Sequence, residues 1–146
     1  MNKKQQAKFA ALHQLLVSMS EHYLQATPDE QAFLETTVGA AVFYLPRSKP
    51  RHYSGFISPE ALESGNECRE HMFPRKIAGA ALLSNPPETA DELAEKCNSV
   101  YLRFNIVTSV QNKQLAPHQK KGVFKEPFDA YEKAGITLIK DPRIKS

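Results

Sequence analysis

The sequence predicts an α+β fold, an N-terminal helical hairpin packed on a unit in which two short strands feed a helix, with additional helices. Three observations predict it. Apolar residues recur at helical spacing through the first 25 positions, a helix-start signal stands at Thr27-Pro28-Asp29-Glu30, and helical periodicity then disappears between residues 53 and 72. With 146 residues, 41% of them hydrophobic and 24% charged, the chain is long enough for one compact domain and a continuous core. The expected organisation is a single domain, 1–146, with a hairpin over 1–45, a central core over 53–121 and a C-terminal helix and tail over 122–146.

Taken in order, Phe9, Leu12, Leu15, Leu16, Met19 and Tyr23 place one apolar stripe on a helix spanning about 3–25. Thr27 is suited to cap the second helix, Pro28 to open it and Glu30 to complete a capping box. That helix should reach Tyr44, where Pro46 would stop it, and its apolar end from Val38 to Leu45 should be buried. A basic, proline-punctuated connector follows from Pro46 to His52, able to track along phosphates or simply to be solvated. Gly55, Pro59, Gly65 and Asn66 then punctuate an irregular β-hairpin whose second strand delivers Glu70 and His71.

Small apolar residues predict a helix over 74–83, broken by Asn85-Pro86-Pro87, and another over about 89–97. Val100 to Phe104 extends into a loop at Asn105, and Thr108 caps a helix over roughly 109–116. A last helix over 127–134 closes on Gly135, before a short extended tail over 136–139.

Composition narrows the function classes. No run approaches the roughly 18 apolar residues of a membrane span, and the polar residues among 5–20 do not read as a signal peptide. Cys68 and Cys97 form no C-x-x-C and give no zinc-ribbon signal, so a reduced cytoplasmic setting is expected, although one disulfide is still allowed. The net charge of +3 permits an anionic partner without requiring one. Oligomeric state is left open.

Chemistry concentrates in Glu70-His71-Met72-Phe73-Pro74-Arg75-Lys76, read with Asn105 and Asn112 downstream. An acid beside a histidine offers a cation ligand and a base that titrates near neutrality. Adjacent residues of a strand point to opposite faces, so a common target for the two needs a local twist or bulge. This run, with N-x6-N behind it, resembles the HNH endonuclease motif and its ββα-metal fold. The resemblance implies an HNH-like ββα-metal unit over about 53–121 and hydrolysis of nucleic-acid phosphodiesters, with DNA the first expectation. It implies Glu70 and Asn112 as ligands of a divalent ion, magnesium or manganese, His71 as general base, and Asn105 as the residue that positions it.

Arg75, Lys76, Lys113, Lys120 and Lys121 flank these positions and as a group could neutralise a nucleic-acid backbone. His52 and His118 are weaker phosphate candidates, and Phe124, Phe128 and Tyr131 fit helix packing better than base stacking. The rival reading is a non-catalytic nucleic-acid-binding or protein-interaction module, in which the asparagines are turn and cap residues.

Overall fold

The computed structural model describes residues 1–44 and 49–145. Pro46 and the first residues of the basic connector lie outside that range. The class is α+β. In chain order the elements are α1 (Lys3–Tyr23), α2 (Pro28–Tyr44), β1 (Tyr53–Ile57), α3 (Pro59–Ser64), β2 (Cys68–His71), α4 (Arg75–Ser84), α5 (Ala90–Lys96), β3 (Phe104–Val107), α6 (Ser109–Leu115), α7 (Pro127–Lys133) and β4 (Ile139–Lys140). Single turns at Pro50–His52 and Ala116–His118 are 3-10, and Cys97–Tyr101 is a π turn continuing α5. No helix among the described residues is long and apolar enough to cross a membrane.

The chain divides into two compact units, one of 1–48 with 74–102 and one of 49–73 with 103–146. This division crosses the expected boundaries. Residues 74–102, between His71 and Asn105, leave the central core and pack through α4 and α5 on the N-terminal helices.

In the first unit, α1 buries Phe9, Leu12, Leu16 and Tyr23, while Leu15 falls off the stripe and is 60% exposed. Thr27 and Glu30 form the expected reciprocal cap, each accepting from the other's backbone amide at 3.3 Å. Helix α2 buries Val38, Val42 and Phe43 near its end and packs closely on α4, whereas Tyr44, expected to be buried with them, is 72% exposed and Leu45 lies outside the described residues. Glycine sets that approach: a methyl at Gly39 would strike the Arg75 carbonyl, and one at Gly79 the Glu35 carbonyl. Tyr23 donates to the buried Glu35 carboxylate at 2.6 Å.

The second unit is built on a four-stranded sheet of order β2-β3-β1-β4. β1 runs parallel to β3, whereas β2 is antiparallel to β3 and β4 to β1. The expected β1–β2 hairpin is therefore absent, since β3 lies between those strands. The segment joining them contains α3, with Ser58 accepting from the Ala61 amide, Pro59 in the first turn and Gly65 closing at φ 72°. Val107, Leu115, Ala130, Tyr131 and Ile136 form the core against one face of the sheet. Thr108 caps α6 by accepting from the Gln111 amide, and Gln111 Oε1 accepts from the Thr108 amide in return.

Candidate functional site

Strand β2 pairs with β3 so that Glu70 stands opposite Asn105 and His71 opposite Phe104. Side chains on a strand alternate between faces, so this register decides which groups meet. Glu70 and Asn105 share the face occupied by Val107, and therefore by the core that α6 and α7 contribute. His71 and Phe104 share the other face. There the Phe104 ring stacks on Tyr53 at 5.5 Å, meets the His71 ring edge-on at 6.2 Å, and carries the Arg69 guanidinium at 4.8 Å.

On the core face the polar groups form a chain. Ser54 donates to Asn105 Oδ1 at 2.5 Å, and Asn105 Nδ2 donates to the Tyr131 hydroxyl at 3.1 Å. Beside them, Gln119 Nε2 donates to Glu70 Oε1 at 2.5 Å. Glu70 is only 6% exposed. Burial pushes its carboxyl up to about 7, against the smaller opposing pull of the Gln119 amide. Burial first, and the Glu70 charge second, raise the Tyr131 phenol above its usual range.

Two expectations are corrected by this register. Asn105 lies inside β3 rather than in a loop, and it is held by Ser54 and Tyr131 on the Glu70 face, so it does not position His71. Glu70 and His71 do not turn toward each other, because β2 stays paired with β3 through both residues and no bulge twists one of them round. His52, expected as a phosphate contact, is 3% exposed, and its Nδ1 accepts from the Lys49 amide at 3.0 Å.

The remaining candidates are placed as follows. Asn112 is half-buried on α6, one turn ahead of Leu115, which reaches the core on the Glu70 face. Lys113, Lys120 and Lys121 are exposed in the same unit. Arg75 and Lys76 belong to α4 in the first unit, where the Arg75 guanidinium lies over the Phe43 and Tyr44 rings. Gln119, Tyr131 and Ser54 were not expected as site residues. No local spacing marks them, since Ser54 reaches the cluster through sheet pairing, Gln119 from the turn after α6 and Tyr131 through the return of α7.

Of the two expected ligands of a magnesium or manganese ion, Glu70 is a buried hard oxygen donor that accepts from one neutral amide, and Asn112 would have to bring its amide oxygen to it from α6. Among the described residues no group of three or more His, Cys, Asp or Glu side chains could hold an ion. Waters and substrate oxygens would supply the other ligands, as is usual for magnesium.

Compared with known protein families, curated proteins and solved structures, the chain matches none of them.

Proposed function

We propose that the second unit hydrolyses nucleic-acid phosphodiesters, DNA first among them, with Glu70 and Asn112 holding a divalent cation and His71 acting as general base. The observation that supports this reading is Glu70 itself. A carboxylate removed from water and given a single neutral donor is a poor structural element but a good ligand or proton carrier. The setting agrees. An antiparallel β2–β3 pair runs directly through the Thr108 cap into α6, with the Glu-His pair at the end of the first strand.

His71 is the last residue of β2. A phosphate ester lying across that strand end would meet the Glu70 face on one side and the His71 face on the other. To take the proton of the attacking water from there, His71 must open its buried Nε2 to that strand end. Lys113, Lys120 and Lys121 draw the polyanion to this unit. The bound cation would neutralise charge on the scissile phosphate and the departing oxygen. Asn105 holds the wall behind Glu70 rather than touching substrate, and the Tyr131 hydroxyl holds Asn105.

The placement of Glu70 and His71 on opposite faces favours a second reading, a nucleic-acid-binding module without catalysis. Plasmid incubated with the protein and Mg²⁺ or Mn²⁺, beside Glu70→Gln and His71→Ala, separates the two. The enzyme reading expects nicking that both substitutions remove. Cleavage surviving both removes the mechanism, and binding without cleavage by any of the three proteins establishes the module.

A further inference from the structure

Tyr131 faces two settings. Its hydroxyl takes the Asn105 amide, and the same residue lines a cavity of about 430 Å³ together with Phe56 of β1, Phe128 and Glu132 of α7, and the irregular segment Gly135–Leu138. Phe128 is 63% exposed although it lies one helical turn before the buried Tyr131. A single exposed phenylalanine is ordinary. Here it stands at a cavity with two further aromatic residues and one carboxylate, and that mixture of apolar walls with few polar groups is the make-up of a small-ligand site.

The chemistry narrows the occupant. Aromatic walls favour a flat π system, which stacks without regard to its exact substitution. The Glu132 carboxylate repels an anionic head group but accepts a hydrogen bond from an amine. Lys113, Lys120 and Lys121 in the same unit attract an anion. A flat heterocycle bearing an amine and joined to a phosphate chain satisfies all three demands. The cavity wall touches the proposed reaction site at one point, where the Tyr131 hydroxyl accepts from Asn105, the register partner of Glu70.

We infer that this cavity takes an unpaired nucleobase of a single-stranded substrate, stacked against Phe128 and Phe56, with Glu132 accepting from its exocyclic amine. The inference rests on the reading of this unit as a nucleic-acid enzyme and narrows its substrate to strands that can offer a base out of a duplex. The aromatic residues near the C-terminus are thereby divided. Tyr131 serves packing and cavity together, whereas Phe128 serves the cavity.

Binding to short single-stranded and duplex oligonucleotides, measured in EDTA so that no cleavage occurs, tests the inference. The single strand carries 2-aminopurine, whose emission falls when the base is stacked. The full-length protein is expected to quench the probe and to prefer the single strand. Phe128→Ala, at an exposed side chain, should weaken single-strand binding about tenfold, leave duplex binding unchanged, and leave the thermal midpoint in place. Equal affinity for both forms, an unquenched probe, or an unaltered Phe128→Ala protein overturns it. Duplex cleavage by a protein that leaves the probe unquenched sinks the cavity assignment alone, while failure to bind either form sinks the enzyme reading with it.

Discussion

Two acids of the second unit are almost equally hidden, Glu70 at 6% exposure and Asp141 at 5%, yet their surroundings differ completely. Asp141 accepts from the Tyr53 hydroxyl at 2.9 Å, from the Arg143 amide and Nε at 2.9 Å, and from Arg143 Nη2 at 2.8 Å. The hydrogen bonds of Arg143, itself also paired with Glu67, hold the Asp141 carboxyl well below the usual range. Glu70 receives one amide and is pushed up to about 7. The fold thus gives four hydrogen bonds to the carboxylate that fastens the C-terminal tail to β1 and, among the described residues, one to Glu70. On the proposed reading, this sparser setting is what keeping Glu70 for chemistry costs in stability.

The comparison breaks most readily on activity. Glu70→Gln and His71→Ala should each lower cleavage by about 10²–10⁴-fold, the range expected when a proton-transfer or charge-bearing group is removed. Asp141→Asn should leave cleavage at low temperature within a few-fold of the parent. An Asp141→Asn protein that is folded but inactive would erase the distinction between the two acids.

Stability should move the opposite way. Asp141→Asn leaves donors from Tyr53 and Arg143 without their anion and should cost about 1–3 kcal/mol in urea unfolding. Glu70→Gln removes a carboxylate that burial disfavours, and at pH 8 should stabilise by something on the order of 2 kcal/mol. The pH dependence follows from the same shifts. Glu70 holds its proton more tightly folded than at its ordinary value of 4.5, so its contribution to stability declines as pH rises from about 4.5 through about 7. Asp141 behaves inversely: its stabilisation is complete above 3.8 and is lost as pH falls through its depressed value. Urea midpoints between pH 5 and pH 8 should therefore fall less steeply in Glu70→Gln than in the parent.

The smallest expected effect sharpens the picture of the wall. Tyr131→Phe removes one acceptor for the Asn105 amide and should cost about 0.5–1.5 kcal/mol. Cleavage should fall only modestly, because Asn105 is not placed on substrate and the substitution keeps the Tyr131 ring that lines the cavity. A loss as large as that of Glu70→Gln would move Tyr131 into the reacting set.

Local signals in the sequence carried much of the secondary structure. Helices α1, α2, α4, α6 and α7 follow from apolar spacing and from caps at Thr27, Thr108 and Gly135, since those signals act within a few residues. Helix α3 was legible in principle, because Ser58-Pro59 and Gly65 bracket it, but its six residues are too few to show a period. Sheet pairing was not legible. Nothing local tells β1 to pair with β3 rather than β2, and that pairing over a long separation decides which face each residue takes. Hence the Glu-His pair could be singled out, whereas its division between two faces, and the roles of Gln119, Ser54 and Tyr131, could not.

The reading proposed for Glu70 is that it is retained for chemistry against its own effect on folding. Its most direct test is one preparation of Glu70→Gln assayed twice at pH 8, by urea unfolding and by metal-dependent plasmid cleavage. The account predicts a protein more stable than the parent and without nicking activity. A variant that is less stable, or that cleaves as the parent does, contradicts it.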